Sequence, residues 1–290
     1  MLWFKKQQPK GIAAVDTNDI VPAELALPLD SAYFMHKFSA LQANTEGDGG
    51  VEVLVTSLVA KHQLFARLLD VSSLPSLQDE DLESLLDTVF SARRRLYPDL
   101  KAFGLDKTKA LIQELLFGNL TISERLSRFA DMVQVNEADD REARKLAAKN
   151  KRAAYDFGAE ILHFSQPDKF PLMTRWVWDQ QAQSGALREF IRGNDAMDNV
   201  GLGNAPEMFE GARVWLAAQL AEQGLYRDIP QWIDLVMAQA YTEYFRSMAE
   251  GMLSSEFGRG STPGEHLKKF LGIDAPIKEG RSRVKRITVQ

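Results

Sequence analysis

From Ile233 to Met252 apolar side chains recur at steps of three and four. Ile233, Val236, Met237, Ala240, Tyr241, Tyr244, Phe245, Met248 and Met252 trace one continuous face of a helix that starts near Asp228 and Pro230. A stripe this long commits the chain to a helix–helix core, because only other faces of the same period cover it. The same period recurs elsewhere. Val51, Leu54, Val55, Leu58, Val59, His62, Phe65 and Leu69 follow it over five turns, which outweighs the brief alternation Val51-Glu-Val-Leu-Val at their start. No strand is predicted. The expected fold is all-α, a single compact multi-helix domain of about ten helices.

Start and stop signals place the remaining helices. Asp30 or Ser31 caps a helix from Ala32 onward. Asp79, Glu80, Asp81 and Glu83 open a helix predicted to reach Arg93, Arg94 and Arg95 and to stop at Pro98, with charges that suit its dipole. The three arginines read as a solvated last turn rather than an anion site. Asp106 caps a helix carrying Leu111, Ile112, Leu115 and Leu116 that ends at Gly118-Asn119. Thr121-Ile-Ser-Glu124 has the form of a capping box, and its helix buries Leu126, Phe129, Met132 and Val133.

A long helix is predicted from Asn136 to about Ser165. It carries mixed surface charge at its start (Glu137, Asp139, Asp140 and Glu142 against Lys145, Lys149, Lys151 and Arg152) and ends at Pro167. Residues 173–192 read as one bent helix or two short ones broken at Ser184-Gly185, and 193–205 as a loop. Pro206 opens a helix that ends at Gly224, and a last short helix covers Pro263 to Phe270. Pro9, Gly11, Pro22 and Pro28 make 1–28 an irregular arm. The helical domain is 29–272, with 29–100 a candidate N-terminal helical subdomain, and 273–290 form a basic tail.

Composition limits what such a bundle can do. With 290 residues, 45% apolar and 26% charged, the chain can bury a substantial core and is not disordered throughout. Its net charge of −5 argues against a surface built everywhere for polyanions and leaves room for a local basic patch. There is no cysteine, which excludes disulfides, thiolate catalysis and Cys-ligated zinc, and fits a cytoplasmic location. No run of about 18 apolar residues predicts a membrane span. Leu2, Trp3 and Phe4 precede Lys5 and Lys6, the reverse of a signal peptide, and read as a frayed terminus.

Few residues suggest chemistry. Glu160 and His163 form E-x-x-H on one helix face, the spacing of di-iron carboxylate bundles. A second copy is missing, since Tyr33, Val59 and Pro263 stand three residues before His36, His62 and His266. The favoured reading is a satisfied, half-buried His163 with Glu160 on the rim; the pair is a weak metal candidate, and no metal or cofactor is expected. Gly201-Leu-Gly203 has no strand before it and Pro206 at the third glycine position, so it reads as a plain loop. Trp176, Trp178, Trp215, Trp232, Tyr241, Tyr244 and Phe245 either fill the core or line a pocket. The tail is the most distinctive feature. Lys278, Arg281, Arg283, Lys285 and Arg286 stand against Glu279 alone, net +4, and Arg283-Val-Lys-Arg-Ile-Thr-Val alternates as an extended segment does.

Residues 106–180 resemble the helical core of the helix-hairpin-helix DNA glycosylase superfamily. The resemblance rests on Leu115-Leu-Phe-Gly-Asn, on the Ser123-Glu-Arg-Leu helix, and on Phe157-Gly-Ala-Glu-Ile-Leu-His-Phe followed by Pro167-Asp-Lys-Phe-Pro171. It covers about a quarter of the chain. The family's Gly-x-Gly hairpin matches Arg152 and Ala154 here, so the tight turn is gone. Met173 and Thr174 lie near the place of its catalytic Asp, with Asp168 and Asp179 nearby. The resemblance therefore implies a shared fold without base excision.

Three functional expectations follow. The first is a non-enzymatic accessory, assembly or regulatory protein that binds a protein partner through its helical body and basic tail. The second is a nucleic-acid-binding protein on a degenerate glycosylase-like fold, which requires a basic face on the folded surface. The third is an enzyme or a ligand or metal binder using Glu160, His163 and the aromatic cluster.

Overall fold

A computed structural model describes residues 20–25, 28–136, 139–251, 262–274 and 284. Among them ten α-helices follow in order: α1 (Ser31–Thr45), α2 (Val51–Leu69), α3 (Asp79–Asp87), α4 (Tyr97–Phe103), α5 (Leu105–Phe117), α6 (Ile122–Ala130), α7 (Arg141–Ser165), α8 (Pro206–Glu222), α9 (Ile229–Gly251) and α10 (Pro263–Phe270). Four 3-10 turns punctuate them, at Glu46–Asp48, Leu74–Ser76, Ala186–Phe190 and Asn194–Ala196. No strand occurs among the described residues, only isolated bridges between Leu29 and Ile191 and between Asp179 and Ser184.

Several helix starts follow the capping chemistry in the sequence, but α5 starts at Leu105 after Gly104, so Asp106 lies inside its first turn rather than capping it. Asp30 accepts the Ala32 amide at 2.8 Å. Thr121 and Glu124 close the predicted capping box on α6, and Thr262 and Glu265 close another on α10. Each satisfies amides that a first turn would otherwise leave without partners.

Two long helices organise the core. α7 packs on α6, α2 and α5, and α9 packs on α1, α2, α8 and α10. One contiguous set of buried apolar side chains runs from Leu29 to Val284. α6 and α7 meet closely because position 158 is glycine: a Cβ there would stand 3.0 Å from the Phe129 ring. The described end of the N-terminal arm lies on α8. The Ala23 amide donates to Glu207 O at 2.8 Å, and a Cβ on Gly211 would stand 2.2 Å from Ala23 O.

Several expectations are corrected. The helix opened by Asp79 ends at Asp87, and Arg93, Arg94 and Arg95 lie in the turns that follow. Pro98 stands in the first turn of α4, where its missing amide costs nothing, so it starts a helix rather than stopping one. The three arginines do not share one solvated turn. Arg93 is buried and forks onto Asp274 at 2.8 and 3.0 Å, while Arg94 and Arg95 are exposed. The long helix starts at Arg141, not Asn136, because Asp140 caps it by accepting the Ala143 amide at 2.8 Å. Residues 173–192 form turns and the 3-10 stretch Ala186–Phe190 instead of α-helix. Gly185 has φ +135° there, and a Cβ would stand 2.6 Å from Val177 O. The chain folds back on itself at a point where only glycine fits.

Candidate functional site

α7 carries exposed cations along its N-terminal half and buried ionisable residues along its C-terminal half. Its inward stripe is Asp156, Glu160 and His163, spaced i, i+4 and i+7, and all three are buried. His163 is therefore not half-buried, nor is Glu160 on the rim. The helix continues past both into the core, and each has a partner from another element.

Glu160 meets Lys61 of α2 at 2.6 Å. The Lys61 ammonium also donates to Thr88 O and Leu271 O, each at 2.9 Å, so all three of its protons are placed. Burial pushes the Glu160 carboxyl up to about 7 and holds the Lys61 ammonium below its ordinary range; their mutual attraction opposes both shifts. Asp156 takes Arg175 through the backbone amide at 3.0 Å, Nε at 3.2 Å and Nη2 at 2.6 Å. Burial raises its carboxyl too, against the pull of Arg175.

His163 faces two acceptors, Phe170 O at 2.8 Å from Nδ1 and Asp234 Oδ2 at 2.9 Å from Nε2. Each of those nitrogens must donate, unless Asp234 carries the proton between them. Either way neither nitrogen offers a free lone pair to a metal. Glu160 is committed to Lys61, and among the described residues no three His, Asp or Glu side chains converge as metal ligands. His163 and Asp234 border a cavity with Leu172, Phe209, Arg213 and Met237. The cavity measures about 10 Å³, the scale of one water molecule.

The sequence held a signal for this network. Lys61 lies on the apolar row Leu54, Leu58, Lys61, Phe65 and Leu68, and a lysine on such a row requires a buried partner. Which partner it meets depends on residues 27 to 210 positions away.

The aromatic residues divide. Trp178 and Trp232 are buried. Trp215 packs edge-on against Phe34 and Phe190. Phe245 packs on His266 and Phe270. Trp176, Tyr241 and Tyr244 form a half-buried row, with consecutive ring centres 5.9 Å apart.

The N-terminal half of α7 is different. All six residues from Arg141 to Leu146 are exposed, so the first one and a half turns project beyond the body. At 3.6 residues per turn, Arg141, Arg144, Lys145, Lys149, Lys151 and Arg152 fall within an arc of about 160°, along about 16 Å of axis. Asn150 marks the opposite side; it is buried and donates to Asp99 of α4 at 2.8 Å. The neighbouring acids are few. Glu142 meets Lys145 at 2.8 Å, Asp131 pairs with Lys151, and Asp139 and Asp140 precede the helix. The mixed charge read in the sequence thus separates in space. Asp139 and Asp140 stay ahead of the helix, and the face beyond them carries six cations, of which Lys145 and Lys151 pair with Glu142 and Asp131.

The basic tail residues Lys278, Arg281, Arg283, Lys285 and Arg286 lie outside the described residues, as do Leu2 to Lys6. No described helix is long and apolar enough to cross a membrane. Set against protein-family models, curated proteins and solved structures, the chain matches none of them.

Proposed function

We propose that this protein binds nucleic acid through the basic outer face of α7. The observation that carries this reading is the projection of Arg141 to Leu146 with the cations turned away from the core. Six cations on one helical face attract a polyanion by Coulomb's law and gain further from release of its counterions. A free helical segment also has the width that a nucleic-acid groove admits. Because α7 runs unbroken through Arg152 and Ala154, its phosphate contacts are side-chain cations and not the hairpin amides of helix-hairpin-helix proteins. The likeness to that superfamily belongs to this proposal. The rival is a protein partner held by the helical body and the basic tail.

The test is fluorescence anisotropy with a labelled oligonucleotide between 50 and 200 mM salt, roughly the range over which phosphate contacts weaken most visibly. The wild type should bind with an affinity that falls steeply with salt. Joint replacement of Arg141, Arg144, Lys145 and Arg152 by Gln should weaken binding more than about tenfold and flatten the salt dependence by about three to four contacts. Its helicity should be unchanged, since these side chains touch nothing in the core. Binding that ignores salt, or survives the four substitutions, overturns the reading. An acidic polypeptide preferred over nucleic acid at equal charge transfers the face to the protein-partner alternative.

A further inference from the structure

Beyond Arg152 the same face of α7 changes character. Tyr155 follows three residues on, within the same arc, and is half-buried. Asp156 next to it holds Arg175 by backbone and side chain, which docks the 174–178 turn against α7. That turn presents Trp176, and the ring row continues through Tyr241 to Tyr244 on α9. Tyr241 lies within electrostatic reach of Arg175, Asp156, Asp179 and Tyr244, so the aromatic row and the docked arginine share one neighbourhood. Burial pushes the Tyr241 hydroxyl up to about 12, which keeps it uncharged.

The charge pattern sorts what can sit where. Arg175 is neutralised by Asp156, and Asp179 is close, so this end of the face offers phosphate little. Trp176, Tyr241 and Tyr244 instead form a row of half-buried rings, with Phe270 packed edge-on against Tyr241 at 4.9 Å. A backbone tracking Arg141 to Arg152 would thus arrive at aromatic rings and not at more cations. Cationic tracks ending on aromatic platforms suit strands whose bases are unpaired, because a duplex keeps its bases stacked within itself.

We infer that the ligand of this surface is single-stranded nucleic acid, its phosphates on the basic face of α7 and a base stacked on the Trp176–Tyr241–Tyr244 row. The inference rests on the nucleic-acid reading above and narrows it. Stacking on these rings uses no base edge, so binding should tolerate sequence.

The experiment compares a labelled single strand of about 15 nucleotides, within the reach of one such site, with its duplex, on the full chain and on Tyr244→Ala and Tyr244→Phe. The wild type should favour the single strand and lose tryptophan fluorescence on binding it. Tyr244→Ala should weaken the single strand by about five- to a hundredfold, the worth of one base–aromatic stack, and leave the duplex unchanged. Tyr244→Phe should restore the affinity. Should Tyr244→Ala unfold, Trp176→Ala takes its place with the same expectation, read by anisotropy. Equal binding of both forms, with no effect of the alanine variant, overturns the single-strand inference and leaves the basic face standing. Loss of duplex and single strand alike in Tyr244→Ala, with folding intact, also overturns it. Binding of neither form by the wild type removes both readings.

Discussion

Lys61 occupies a core position where a leucine would pack, and it is stable there because three acceptors meet its three protons. Such a pair contributes little net stability, but breaking it leaves one charge buried and alone. Lys61→Met should therefore cost about 3–5 kcal/mol in urea unfolding at pH 8, and Lys61→Met with Glu160→Leu should recover most of that. The single-variant deficit should shrink at pH 5, where the orphaned Glu160 takes up a proton. Glu160 also sets a pH dependence in the intact protein. Its carboxyl titrates near 7 when folded against an ordinary 4.5, so between those values the folded chain binds more protons than the unfolded one. Stability should then fall by about 1–3 kcal/mol as pH rises from about 4.5 to about 7. Lys61, depressed by burial, contributes the opposite slope below its ordinary 10.5. Unfolding curves of the wild type and Glu160→Gln at pH 5 and 7 check this, since the variant should lack the decline. At this scale the sequence was half legible. A charged residue on an apolar row announces a buried pair, and nothing local names its partner.

Elements were legible where their ends are local. The caps of α1, α6 and α10 use side chains two or three residues from the amides they hold. The stop of α3 was misread because acidic and basic ends suit a helix dipole at any length. Arg93 is drawn off instead by Asp274, 181 residues away. The start of α7 was misplaced by five residues, and that shift hid the basic face by counting Asp139 and Asp140 as part of it. Gly211 supplies a test at this scale. Gly211→Ala places a methyl against Ala23 O while slightly favouring helix in α8. The substitution should detach residues 20–25 and leave α8 intact. Hydrogen exchange should show lost protection at the Ala23 amide with α8 amides unchanged; retained protection at Ala23 counts against it.

For the whole molecule, all-α architecture was readable from period alone, because every long apolar stripe repeats at three and four residues. How the stripes associate was not. α2 packs mainly on α7 and α9, and less on its sequence neighbours α1 and α3. The segment 29–100 therefore owes much of its core to later helices. Expressed alone, it should show little helical circular dichroism and no cooperative melt, and a sharp transition would establish it as an independent subdomain. Net charge was a poor guide at this scale. A total of −5 coexists with a face of six cations because a sum carries no position.

The three acceptors of Lys61 also impose an order in time. A ribosome makes Lys61 well before Glu160, and before Leu271 by 210 residues. Until α10 emerges, a nascent chain holds an ammonium among leucines with only part of its coordination available. Final closure of the core is thereby postponed until α10 is translated, and the turn after it serves as the latch that ends a long wait.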